Sequence, residues 1–97
     1  MKRHRVFFAE SARADILSSF EWGCQEWGKT RAQRWARNLR RSVKNVLEIF
    51  ALSQPLAPES EDFGVEIRHL IIDRYRVLYI LDGNNVIVLH VRGPFVP

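Results

Sequence analysis

The chain has a single cysteine, Cys24, four prolines and five scattered glycines among its 97 residues. One cysteine excludes an internal disulfide framework and a cysteine-based metal cage. Nowhere does an apolar run approach the roughly 18–20 residues of a membrane-spanning helix. The start "MKRHRVFFAES" places basic residues before an apolar stretch too short for a secretory signal. A cytoplasmic protein is the expectation, with no membrane partner. The three histidines lack the H-x-H or H-x-x-x-H spacing of a metal site. No glycine-rich loop is present to cradle a phosphate, so no cofactor is expected. Ser11, Ser18, Ser19 and Ser42 fall on helices or caps, which leaves a serine nucleophile unsupported.

What is present is an ordinary globular composition, 46% apolar and 27% charged, enough for one domain over residues 1–97 with a modest core. The formal charge is +4 and the isoelectric point about 9.8. From Lys29 to Lys44 there are seven Lys/Arg and no acid. Glu59, Glu61, Asp62 and Glu66 form an acidic counterpart. Such a balance favours polyanionic or acidic-protein partners, although a solvated helix face has the same composition.

Period and punctuation divide the chain. "RVFF", Arg5–Phe8, is β-branched and aromatic and reads as a short strand. Ser11 then predicts a cap for a helix to Trp27, with Leu17, Phe20, Cys24 and Trp27 on its inner face and Ile16 and Trp22 beside it. Gly28 closes that helix. Thr30 followed by Gln33 predicts a capping box. Beyond it Ala32, Trp35, Ala36, Leu39, Val43, Val46, Leu47 and Phe50 make one apolar stripe, with Arg34, Arg37, Arg41 and Lys44 opposite. Pro55 and Pro58 predict a loop. Val65–Ile72, Tyr75–Leu81 and Val86–Val91 are rich in Val, Ile, Leu and Tyr and read as strands, joined by Asp73-Arg74 and by Asp82–Asn85. Connections this short require an antiparallel meander. The predicted fold is α+β, in the order β-α-α-β-β-β, with two antiparallel helices packed on a curved, mainly antiparallel four-stranded sheet.

Alternation puts Tyr75, Val77, Tyr79 and Leu81 on one face and Arg76, Leu78 and Ile80 on the other. It groups Val86, Val88, His90 and Arg92 against Ile87, Leu89 and Val91, and sets Arg68 with Leu70 and Ile72 away from His69 and Ile71. Register is not fixed by sequence, so contacts among Arg68, Arg76, His90 and Arg92 stay open. Arginines in such a cluster bind phosphate and stabilise developing negative charge while a histidine or tyrosine moves a proton. Cross-strand charge pairing with Glu66 or Asp73 explains the same residues structurally. Two of Trp22, Trp27 and Trp35 fall on apolar faces, which favours packing over base stacking.

"SARADI", "QEWGKTRAQRW", "IRHLIIDRYRVLY" and "VIVLHVRG", in that order, span nearly the whole chain. Together they resemble the RelE/ParE superfamily of toxins from bacterial type II toxin–antitoxin systems, and the Trp-Gly junction lies closer to the ParE side. The resemblance implies the fold predicted above and a cognate antitoxin with an acidic or amphipathic segment. A ParE-like member would inhibit DNA gyrase without being an enzyme. It would use Tyr75, Arg76, His90 and Arg92 toward its target and Arg34, Arg37, Arg41 and Lys44 toward the antitoxin. A RelE-like member would instead be a metal-independent mRNA interferase acting on the ribosome and mRNA, with Arg76 and Arg68 on phosphate and His90 as acid/base. Against that alternative, the tail "GPFVP" carries no ionisable side chain.

Overall fold

A computed structural model describes residues 3–93, so that only the glycine of the terminal "GPFVP" belongs to the described part. Strand β1 (Arg5–Phe8) leads into helix α1 (Glu10–Trp27) and helix α2 (Lys29–Phe50). A single 3-10 turn at Ala51–Ser53 and a short helix α3 (Glu59–Phe63) precede the strands β2 (Arg68–Ile72), β3 (Tyr75–Asp82) and β4 (Asn85–Arg92). The four strands form one sheet in the order β1-β4-β3-β2. Its last three strands are the expected meander, while β1 pairs parallel to β4, so the sheet is mixed.

Both meander turns follow from backbone requirements. Asp73 and Arg74 take φ of 48° and 71°, the two positive values that a two-residue type I′ hairpin turn demands. At the next hairpin Gly83 has φ 59°, and β3 and β4 together extend through Asp82 and Asn85. The apolar stripe of α2 packs as its period predicts: Ala32, Ala36, Leu39, Val43 and Leu47 are buried, and Phe50 at its end is exposed. Of these, Ala36, Leu39, Val43 and Leu47 share one core with Val77, Tyr79, Val86, Val88 and Val91 of the sheet. Tyr79 is fully buried and its hydroxyl donates to the Ala51 carbonyl, which ties the end of α2 to β3. Burial pushes that phenol up to about 12.

Several local expectations are corrected. Helix α1 starts at Glu10 with no side-chain cap, because the Ser11 hydroxyl donates instead to the Leu89 carbonyl at 2.6 Å. Its inner face is also rotated from the one predicted. Ala12, Ile16 and Gly23 are buried, whereas Leu17 is 53% exposed. The cause is close helix approach: a Cβ at Gly23 would lie 3.4 Å from the Ala32 Cβ and 3.0 Å from the Trp27 ring. Tight packing selects the small residues, not the bulky ones. Thr30 and Gln33 form no capping box, since α2 begins at Lys29 and Gly28 is its N-cap residue. Gly28 joins the helices with φ 90° and ψ 159°, a conformation open to glycine but outside the left-handed helical region expected of it. The proline-flanked segment holds α3, which its two prolines concealed. Strand β2 begins three residues later than predicted, since Val65–Ile67 make no ladder.

The alternation in β4 is interrupted as well. Leu78 pairs with His90 but Tyr79 pairs with Val88, so Leu89 is an extra residue, a β-bulge. Val91 therefore enters the core, and His90 and Arg92 move to the side away from the helices, opposite to their predicted grouping with Val86 and Val88. A second, smaller core on that side joins Ala57, Ile67, Leu78 and Ile80 beneath the α3 segment.

The rotated α1 face gives a direct expectation. Ile16→Ala should destabilise the fold by about 2–4 kcal/mol through lost burial and a residual cavity, while Leu17→Ala should cost less than about 1 kcal/mol. Urea unfolding followed by circular dichroism distinguishes the two.

Candidate functional site

The outer sheet face, opposite the α1–α2 layer and partly covered by the α3 segment, is assembled by register. Arg76 in β3 lies directly opposite Arg92 in β4 and opposite Ile71 in β2. The next outward pairs are Leu78 with His90 and with His69. The bulge is what brings His90 and Arg92 to the face of Arg76.

Arg76 is held on two sides. Its Nη1 and Nη2 donate to Oε2 and Oε1 of Glu59 at 3.0 Å each, a bidentate pair that leaves the side chains 35% and 24% exposed. Its Nη2 and Nε lie 3.1 and 3.4 Å from His69 Nδ1. A guanidinium can only donate, so Nδ1 is the bare nitrogen and His69 carries its proton on Nε2. The hydrogen bonds from Arg76 hold the Glu59 carboxyl down at about 2, with the positive charges of Arg76 and Arg92 adding to the effect. The same contact raises the Arg76 pKa further.

His90 belongs to a second group. Beyond Phe8 strand β1 no longer covers β4, and α1 supplies the missing hydrogen bonds. Asp15 Oδ2 accepts the Val91 N–H at 3.0 Å and lies 2.9 Å from His90 Nδ1. Asp15 thus completes the exposed edge of β4 and orients the imidazole.

Two of the expected site residues do not join this face. Tyr75 is buried in the main core, with its ring 5.5 Å from Trp35 and its pKa raised by burial. That ring is also packed against the backbone of Gly93, where an added Cβ would come within 2.7 Å of it. Arg68 lies on the opposite face from Arg76, as alternation requires, and its Nη1 donates to the Gln54 carbonyl at 2.6 Å. The contact between Arg68 and Arg76 that the sequence left open is not made, since the register puts the two on opposite faces. Sequence reasoning missed Glu59, whose only signal was an acidic run after Pro58. It also gave Asp15 no role. Among the described residues no group of three or more His, Cys, Asp and Glu is placed to hold a metal. No described helix is long and apolar enough to cross a membrane.

On the other side of the molecule Arg34, Arg37, Arg41 and Lys44 are all exposed on α2. Arg37 and Arg40 flank a groove of about 420 Å³ between α1 and α2, lined also by Ile16, Leu17, Phe20 and Ala36. Nearer the Gly28 turn, Trp22, Trp27 and Trp35 form an edge-to-face series with centroid separations of 5.4 and 6.4 Å. Trp22 and Trp27 are 38% and 37% exposed, so packing among rings rather than full burial accounts for them.

Stability gained from the Arg76–Glu59 pair follows the depressed carboxylate. It is present in full above the ordinary Glu value of 4.5 and is lost as pH falls toward about 2. Carboxyl carbon NMR should show Glu59 titrating near the lower value. In Arg76→Gln it should return toward the ordinary range, and an unchanged midpoint would contradict the pairing.

Comparison with known proteins agrees with this architecture. One chain in a solved structure, described as "Chromosomal ParDE TA system from P. aeruginosa", superposes with a TM-score of 0.74 over 94% of this chain and 96% of that one. The two are 15% identical, so the likeness concerns the fold. No curated protein matches the sequence. A sequence profile for "ParE toxin of type II toxin-antitoxin system, parDE" matches residues 6–93, from β1 through the glycine after β4. Apart from Arg5 at the head of β1, that match takes in every helix and strand of the described residues, and on it the chain belongs to the ParE toxin family of type II toxin–antitoxin systems.

Proposed function

We propose that the chain arrests growth by engaging DNA gyrase as a binding protein and is neutralised by a cognate antitoxin. The observation that carries this reading is the family match across residues 6–93. Antitoxin recognition is assigned to the α1–α2 groove and the basic face beside it. Ile16, Leu17, Phe20 and Ala36 offer an apolar floor, and Arg37 and Arg40 supply a cationic rim. An amphipathic segment with apolar residues on one side and Asp or Glu on the other complements both parts. Arg34, Arg41 and Lys44 extend the positive field along α2 and increase the rate of encounter more than the strength of the final contact.

The target side is assigned to the outer sheet face, where Arg92 lies opposite Arg76, together with His90 beside them on β4, held by Asp15. Tyr75 is withdrawn from this surface because of its burial, and its role is to pack beneath the sheet. The alternative mRNA interferase reading would use Arg76 and Arg68 on phosphate with His90 as acid/base. Arg68 and Arg76 lie on opposite faces of the sheet, and no further observation favours that reading.

Two measurements test the proposal. The purified protein should inhibit gyrase supercoiling in vitro, and induced cells should filament with their mRNA intact. Codon-positioned mRNA cleavage with unaffected gyrase would overturn the target assignment. For the antitoxin surface, the double substitution Arg37→Glu, Arg40→Glu should weaken binding of the antitoxin encoded alongside by at least about tenfold, consistent with loss of two interfacial charges. Its far-ultraviolet spectrum should not change. Undiminished affinity would place the antitoxin elsewhere.

A further inference from the structure

Two arginines directly opposite each other on one sheet face repel, and a native sheet retains such a pair only with compensation. Here the pair is Arg76 and Arg92, and the compensation comes from within the chain through the Glu59 carboxylate. Charge remains after this contact, because one carboxylate faces two guanidinium groups. Arg92 has no ion-pair partner among the described residues.

The guanidinium of Arg76 is also preoriented. His69 Nδ1 receives its Nε and Nη2 edge, which turns the Nη1–Nη2 fork toward Glu59. A fork presented in this way fits the paired oxygens of a carboxylate or of a phosphate equally well. The ligands differ in the charge they bring. A second carboxylate would replace Glu59 like for like, whereas free phosphate brings more negative charge and further acceptor oxygens to a site with two cations. A backbone phosphodiester, singly charged with two non-bridging oxygens, brings neighbouring phosphates along the strand.

Glu59 is suited to leave. It stands at the first position of α3, a five-residue helix none of whose residues is buried. That helix is fastened independently by Ser60, whose hydroxyl bonds both the N–H and the carbonyl of Ile67 at 2.8 Å. Rotation of the Glu59 side chain therefore opens the fork without unfolding the segment.

We infer that Arg76 and Arg92 form an oxyanion-binding site that Glu59 fills in this structure, and that a phosphate group binds there by displacing the Glu59 carboxylate. The site shares the face assigned above to the target, but it rests on the Arg76–Arg92–Glu59 geometry and not on that assignment. Its ligand is either free phosphate or the phosphodiester of a nucleic acid, which share the oxygens the fork recognises.

The test titrates inorganic phosphate, and separately a single-stranded oligothymidylate, into the folded protein at constant ionic strength. Binding is read from the Arg76 and Arg92 Nε–H signals in ¹H–¹⁵N spectra. Both signals should shift and saturate, and Glu59→Gln should tighten binding about tenfold by removing the internal competitor's charge. Arg92→Gln should weaken it by a similar factor. Saturation with inorganic phosphate alone identifies free phosphate as the ligand; tighter saturation with the oligonucleotide identifies the backbone phosphodiester. The backbone amides of Ser60 and Ile67 report whether each variant keeps its fold. No saturable shift in Glu59→Gln, or an acidic peptide competing where phosphate does not, would overturn the inference. Neither antitoxin nor gyrase enters the assay, so its failure is separate from failure of the toxin reading.

Discussion

An antiparallel ladder accommodates an extra residue only by bending and by exchanging the faces on either side of it. Leu89 imposes that exchange on β4, and the composition of both faces depends on it. With an uninterrupted strand, His90 would point toward the helices and Val91 away from them. The bulge instead gives Val91 to the core and places His90 and Arg92 beside Arg76. It also falls just where β1 ends, so Ser11 and Asp15 of α1 can reach the backbone of β4 at Leu89 and Val91. The first helix is thereby attached to the sheet through polar contacts as well as through its apolar face.

The two sides of the sheet are consequently different kinds of surface. The helix side is a close-packed interior, organised by α2 and finished by the Tyr79–Ala51 contact. The outer side is a thin core of Ala57, Ile67, Leu78 and Ile80 with an arginine–carboxylate pair next to it. Opposite signs of charge were already segregated along the chain. Folding brings the acidic α3 to the arginine on the sheet and leaves the basic helix α2 without such a cover on the other side.

Architecture was legible because periodicity reports it directly. The stripe of α2, the existence and order of the three meander strands and the turn at Asp73-Arg74 all follow from local chemistry that tertiary packing did not alter. The misplaced α1 face has a different origin: counting bulky residues passed over Ala12, buried in the main core, and Gly23, which lies close against Ala32 of α2. The bulge was equally hidden, since nothing in "VIVLHVRG" distinguishes Leu89 from its neighbours. The family pattern drew attention to Arg76, but its bidentate partner comes from a segment that the prolines made resemble a loop. Contacts between distant segments of this kind depend on register, and register is absent from the pattern of a single strand.

The clustering of indoles at one end of the helical hairpin has a spectroscopic consequence. Trp22, Trp27 and Trp35 lie within one another's quenching and energy-transfer range, and Trp35 packs against a sheet residue, Tyr75. Intrinsic emission therefore reports the Gly28 junction and its neighbourhood. Release of α3 from the far face leaves that signal unchanged, and observing it calls for a chromophore placed near residue 63.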